Sequence, residues 1–199
     1  MNLLVFGATG RTGRCVIELA LAQGHNVTAF ARDPGAISSH QPGLKVIRGD
    51  VLDNAAVEQT ITGHEAVLSA LGGRTLDPST VISEGTRNII RGMEKHSIRR
   101  IVVILASGII SKNIAPMFIN INAEHRRILE MLQQSQLDWV AACPPNIKDY
   151  PFTGNYTLHT DSLPGDRMQI SKFDLADFML RQLHSDTYLR QAVGIVNQV

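Results

Sequence analysis

With 199 residues, 44% of them hydrophobic and 19% charged, the chain has the size and composition of one globular domain with a sizeable core. Nineteen basic residues against 18 acidic leave a net charge of +1, a balance that gives no reason to expect nucleic acid or an anionic membrane as partner. No apolar run approaches the ~18–20 residues of a membrane span.

The first residues read as a strand without a charged leader or cleavage site, so a cytoplasmic protein is expected. Cys15 and Cys143 lie far apart and form no CxxC pair, which suits buried thiols in a reducing compartment.

The most informative stretch opens the chain. Leu3-Leu4-Val5-Phe6 runs into Gly7-Ala8-Thr9-Gly10-Arg11-Thr12-Gly13, and an apolar-periodic segment (Cys15, Val16, Leu19, Ala20) follows. This predicts a buried strand, a tight turn and a helix N-terminus. Gly7 allows the sharp turn, Gly10 lets backbone N–H groups approach a pyrophosphate, and Gly13 lets the helix sit close on its strand. The unpaired N–H groups and dipole of the helix start favour phosphate. As the first strand of an alternating β/α chain, the turn implies a dinucleotide.

The second strand, Asn26–Ala31, follows Gly24 as helix C-cap and ends at Arg32-Asp33-Pro34. This position meets the adenosine ribose in such a fold. An acid there favours NAD. The planar fork of Arg32 suits the 2′-phosphate of NADP, and Arg11 offers a second positive charge. The third strand, Leu44–Gly49, delivers Asp50 and Val51 to the carboxyl edge. Asp50 can accept from the adenine amino group while Val51 packs on the ring, or Asp50 can N-cap the helix starting near Asp53-Asn54.

Glu65–Leu71 is the fourth strand, and Leu71-Gly72-Gly73-Arg74 at its end suggests close backbone approach to the ligand. A helix over Ser79–His96, with Ser79 as N-cap, precedes the apolar fifth strand Arg100–Ala106. That strand carries Ala106, Ser107 and Gly108 to where a nicotinamide ring would lie. Ile109–Ile121, broken at Pro116, reads as a loop or lid.

A helix over Ala123–Gln136, with Glu124, His125, Arg126 and Arg127 as a charged start, leads to the sixth strand, Leu137–Cys143. Pro144-Pro145-Asn146-Ile147 then reads as a rigid turn on the same edge, expected with Ala106 and Ser107 to lie beside the nicotinamide of the cofactor. Short strands are expected over Gly154–Leu158 and Met168–Ile170, a Ser171-capped helix over Asp174–His184, and a last strand over Gly194–Val199. The expected fold is α/β: one domain, residues 1–199, built on a single doubly wound parallel sheet with a small C-terminal elaboration.

Familiar catalytic sets are missing. Tyr150, Tyr156 and Tyr188 are followed four residues later by Gly154, Thr160 and Ala192, so there is no Tyr/Lys dyad. There is no nucleophile elbow and no metal-ligand cluster. The seven histidines are scattered and read mostly as surface or cap residues. Hydride delivery to an acceptor that needs little proton help remains, with the protein supplying orientation and water exclusion.

Several motifs recur together in order: the glycine turn, Arg32-Asp33, Gly49-Asp50-Val51-Leu52, Leu71-Gly72-x-Arg74, Ser83-Glu84-Gly85-x-Arg87-Asn88, Pro144-Pro145-x-Ile147, Thr153-Gly154-x-Tyr156 and Ile170-Ser171-Lys172-x-Asp174-Leu175. With them the chain, to about His184, resembles the flavin reductase or biliverdin-IXβ reductase family of atypical short-chain dehydrogenases with a Rossmann fold. The resemblance implies NADPH-dependent reduction of flavins or linear tetrapyrroles, with quinones as further acceptors; apart from it, a monomer is expected rather than an oligomer. It assigns NADP to the glycine turn, Arg32, Asp50, Val51 and Leu71–Arg74. Ser107 matches the family's active-site serine only after a shift of one residue. Asn146 and Leu129 stand where the family carries histidines, which leaves the tetrapyrrole isomer open. A non-catalytic NADP-binding redox sensor is the alternative.

Overall fold

The structure, a computed structural model, describes residues 1–37, 41–73, 77–111, 114–164 and 168–197. Strand β1 (Asn2–Phe6) leads through the glycine turn into α1 (Arg11–Ala22), then β2 (Asn26–Ala31), β3 (Leu44–Arg48) and α2 (Asn54–Ile61). The second half continues with β4 (Ala66–Ser69), α3 (Val81–Lys95), β5 (Arg100–Ile104), α4 (Ile119–Gln134) and β6 (Asp138–Cys143). Short strands β7 (Asn146–Lys148), β8 (Tyr156–His159) and β9 (Gln169–Ser171), helix α5 (Lys172–Arg181) and strand β10 (Gln191–Asn197) complete it.

Eight strands form one sheet in the order β3-β2-β1-β4-β5-β6-β10-β8, parallel except where β8 runs against β10. The chain winds outward from β1 in one direction, then returns to β4 and winds in the other. The crevice at the carboxyl ends of β1 and β4 is therefore the switch point where such sheets bind ligands.

Alternation along the strands divides the core. Leu3 and Val5 face α1 and α5, while Leu4 and Phe6 face α2, α3 and α4. Phe6 is fully buried, its ring 5.1 Å from that of Phe30. Truncating such a residue to alanine typically costs ~3–5 kcal/mol, so this pair is a main support of the second face.

Several local expectations are corrected. Gln23 caps α1, and Gly24 sits one position further on at φ +81°. Asp53, not Asp50, caps α2, accepting from Ala56 N at 3.1 Å, while Asp50 closes its own turn on Leu52 N. Helix α3 begins after Thr80 rather than on Ser79. Helix α4 begins at Ile119, four residues before the expected Ala123, so the lid contains its first turn. Asn146-Ile147 is not a free turn: β7 pairs with β9 in a second, two-stranded parallel sheet. Arg74 lies outside the described residues.

Candidate functional site

The glycine turn divides its work among three residues. Gly7 has φ +72°, and a Cβ there would sit 2.3 Å from the Ala70 carbonyl oxygen. A Cβ on Gly13 would stand 2.2 Å from the Gly7 carbonyl oxygen, so the helix rests directly on the turn. Gly10 has ordinary extended backbone (φ −73°, ψ 165°), and its Cβ would meet only Gly7 O, at 3.2 Å. Its glycine character thus serves the space beside it, not backbone strain.

That space is a cavity of about 470 Å³. Gly7, Thr9 and Gly10 form one wall, and Arg32, Asp50 and Val51 another. Leu71, Gly72 and Gly73 close it from the end of β4, with Ile82 from α3. Sequence motifs explain the details. A Cβ on Gly85 would press on Val51 Cγ2 at 2.6 Å, and Asn88 Nδ2 donates to the Val51 carbonyl at 2.9 Å. Gly85 and Asn88 of the α3 motif therefore seat Val51.

Two helix N-termini reach this cavity, and they differ. No side chain caps α1. At α3 the buried Glu124 carboxylate already accepts from Ile82 N (2.9 Å) and Ser83 N (3.0 Å), and from the Ser83 hydroxyl (3.0 Å). The open donors belong to α1, beside the space left by Gly10. This fits a pyrophosphate, since uncapped helix N–H groups and the dipole favour an anion.

Arg32 is exposed at the cavity rim. Asp33 turns its carboxylate back onto Gly35 N at 3.1 Å, capping its own short turn. Arg11, Thr12 and Gly13 are not part of the wall. Arg11 pairs with Asp149 at 3.5 Å, and Thr12 is buried. Lys172, first, and then Arg11 hold the Asp149 carboxyl below the usual range.

A second cavity, of about 800 Å³, lies further along the same carboxyl edge, at the ends of β5 and β6. It takes in Ala106, Ser107, Gly108, Pro144, Pro145 and Asn146, with Phe118 and Ile121 from the lid segment. Ile147 instead packs toward the α1/α5 core. The predicted residues thus fall into two groups, one per cavity, except Arg11, Thr12, Gly13 and Ile147, which line neither, and Arg74, which lies outside the described residues.

Helix α4 contributes three buried polar residues that sequence reasoning missed. Besides Glu124, His125 Nδ1 accepts from Ala106 N at 2.6 Å, and burial lowers its pKa to about 4 against a weaker opposing pull from Glu124. Asn122 lies against Gly108, where a Cβ would come within 1.9 Å of its Oδ1. The signal was present: His125, Ile128 and Leu132 share one buried stripe.

Other titratable groups stand aside. Tyr156 donates to Asp177 at 2.8 Å, and burial raises its pKa. Burial also pushes the Cys143 thiol up to about 12. No helix among the described residues is long and apolar enough to cross a membrane.

Among solved structures, the chain is similar to a Rossmann-fold NAD(P)-binding family protein from Shigella flexneri (25% identity, TM-score 0.78, covering 98% of this chain and 93% of that one). ChuY, an anaerobilin reductase from Escherichia coli O157:H7, shares the fold at 23% identity (TM-score 0.85, 99% and 97% covered). So does a candidate NADH-flavin reductase from Streptococcus pneumoniae, at 22% identity with a TM-score of 0.84 and both chains fully covered.

By sequence the chain is 26% identical to an uncharacterized chloroplastic protein of Arabidopsis thaliana over 80% of its length. It is 30% identical to cinnamoyl-CoA reductase 1 of Oryza sativa over 55%. It spans 64% of the first relative and 35% of the second, less than two thirds of either. The model of one family, described as NAD(P)H-binding, matches residues 7–186, which include the glycine turn and the residues that line the two cavities. The chain belongs to this NAD(P)H-binding family.

Proposed function

We propose that this chain is an NADPH-dependent reductase that passes hydride to a flavin or a linear tetrapyrrole. The observation that carries the reading is the second cavity. A dinucleotide alone would fill the first cavity and put only its nicotinamide ring, beside Ala106 and Ser107, into the second, leaving most of that space for an acceptor. Here about 800 Å³ of further space, walled by Ser107, Pro145 and the lid, follows the first cavity along the same edge. ChuY and the streptococcal protein, named for tetrapyrrole and flavin reduction, share this fold and lend the acceptor class.

NADPH is favoured over NADH by Arg32 at the rim and by Asp33, whose carboxylate is engaged with Gly35 N. A guanidinium offers a 2′-phosphate two charge-assisted hydrogen bonds. Gly7, Gly10 and the α1 N-terminus would hold the pyrophosphate, with Asp50 and Val51 at the adenine. A bound reduced nicotinamide supplies the hydride, equivalent to two electrons and a proton.

The chain's own work is placement. Pro144-Pro145 stiffens the end of β6, and the lid residues Phe118 and Ile121 shed water from the acceptor cavity. The Ser107 hydroxyl, half-buried in the cavity wall, can donate a hydrogen bond to an acceptor atom that gains charge.

The deciding experiment follows NADPH oxidation by purified protein with FMN, biliverdin and a quinone in parallel. Turnover of FMN or biliverdin above that of the quinone is expected. NADPH binding without acceptor-dependent oxidation would replace the reading with that of a redox sensor.

A further inference from the structure

We propose that His125 is a positioning residue that holds Ser107 at the acceptor cavity through the hydrogen bond from Ala106 N–H to its Nδ1. The proposal rests on the reading of that cavity as the acceptor site.

The chain leaves β5 at Ile104 and enters the short turn Ser107–Ile109, which no side chain of its own caps. Helix α4 supplies what the turn lacks. His125 Nδ1 stands 2.6 Å from Ala106 N, just before Ser107. Three residues earlier, Asn122 lies against Gly108, just after Ser107. Residues three apart share a helix face, so one face of α4 grips both flanks of the serine. Asn122 Nδ2 also donates to the Phe118 carbonyl at 2.8 Å, tying the same grip to the lid. Because that carbonyl can only accept, the amide nitrogen must lie on its side.

The tautomer follows by the same logic. A backbone N–H can only donate, so Nδ1 carries the lone pair and Nε2 the proton. Nε2 is buried and has no partner among the described residues. An unpartnered buried donor is a cost that an apolar residue would avoid. The neighbours Ile128 and Leu132 on the same stripe show that this side of α4 accepts aliphatic packing. The gain that offsets the cost is the acceptor for Ala106 N–H, which a leucine cannot offer. Burial keeps the ring neutral, so the acceptor persists across the neutral range.

Two measurements test this. In the ligand-free wild type at neutral pH, ¹⁵N NMR should show His125 protonated at Nε2 and bare at Nδ1, and the Ala106 amide should be protected from exchange. A proton on Nδ1 overturns the proposal. The second measurement compares three variants in NADPH-dependent biliverdin reduction, the reaction in which the Ser107 hydroxyl matters. In His125→Asn the amide oxygen takes the place of Nδ1, and kcat should stay within about threefold of wild type. His125→Gln places its polar group at the Nε2 position, and His125→Leu has none.

Both should lower kcat by about tenfold or more with KM for NADPH within about twofold. Equal losses in all three variants, or a change confined to KM for NADPH, overturn the proposal. If the wild type reduces neither flavin nor tetrapyrrole, the acceptor reading fails on its own. The tautomer and the Ala106 amide then still decide whether His125 holds the turn.

Discussion

Gly13 and Gly7 meet backbone to backbone: a Cβ on Gly13 would stand 2.2 Å from the Gly7 carbonyl oxygen. Gly10, between them in sequence, meets only that same oxygen, at 3.2 Å. The two positions should therefore fail differently. Gly13→Ala forces α1 off its strand, and overpacking of this kind costs ~1–3 kcal/mol, more than the helix-propensity gain of about 1 kcal/mol can offset. Gly10→Val has an allowed φ and should cost no more than about 1 kcal/mol as a poorer N-cap. Its side chain would instead fill the pyrophosphate space. Urea unfolding and calorimetry with NADPH separate the effects: stability falls in the first variant, binding in the second.

Arg32→Ala should weaken NADPH by roughly tenfold to a hundredfold and leave NADH nearly unchanged. Hydrogen bonds to charged groups contribute about 1.5–3 kcal/mol, and each 1.4 kcal/mol is tenfold in affinity. Equal weakening of both cofactors would show that Arg32 does not read the 2′-phosphate.

Much of this was legible in the sequence, because the relevant signals are local. The apolar run ending at Gly7 marked β1 and the turn, and Gly24 and Arg32-Asp33-Pro34 bounded β2. Ser171 marked α5 as its cap, although the helix runs Lys172–Arg181 rather than the expected Asp174–His184. What escaped was set by distant partners. The start of α4 was misjudged because Pro116 reads as a breaker, whereas it opens a short turn that runs into the helix at Ile119. Glu124 and His125 read only as part of a charged helix start, yet both are buried, one against the N-terminus of α3 and the other against Ala106. No local pattern names those partners. The pairing of β7 with β9, twenty-odd residues apart, was hidden for the same reason.

Glu124 leads to a third prediction. It is 2% exposed, pairs with Arg127 at 2.9 Å and satisfies two orphan N–H groups of α3. Glu124→Ala should cost about 2–4 kcal/mol, the combined range of a lost helix cap and lost charged hydrogen bonds. Glu124→Gln keeps an acceptor and should cost less. Denaturant midpoints at neutral pH test the order, and a Gln variant as unstable as the Ala variant would contradict it.

His125 predicts a dependence of stability on pH. Its pKa falls from 6.5 to about 4 on folding, chiefly through burial. Between those values the unfolded chain binds a proton that the folded chain refuses. Stability from this group is thus complete above pH 6.5 and is lost as pH falls toward 4. At ~1.4 kcal/mol per pH unit the loss is about 3 kcal/mol. Because other groups also titrate, the comparison is with His125→Asn, whose stability should decline less over the same interval by about that amount. Parallel declines would show that His125 is not buried neutral.

Ser107 tests how much of a catalytic site the chain provides. Its carbonyl accepts from Ile110 N and Ser111 N at 3.1 and 2.9 Å, and among the described residues no hydrogen bond engages its hydroxyl. The hydroxyl is therefore available to the cavity. It should matter more for a tetrapyrrole than for a flavin. FMN reduced at N5 can leave as an anionic hydroquinone, whereas a tetrapyrrole needs both hydride and proton to reach a stable product. General acid help is typically worth ~10²–10⁴-fold, and a hydroxyl, a poor acid at neutral pH, belongs at or below the low end. Ser107→Ala should lower the biliverdin rate by about tenfold or somewhat more, and FMN reduction only slightly. Steady-state rates with both acceptors decide the matter. Equal, small losses on the two would mean that the protein contributes position and dryness alone, and that the proton comes from solvent.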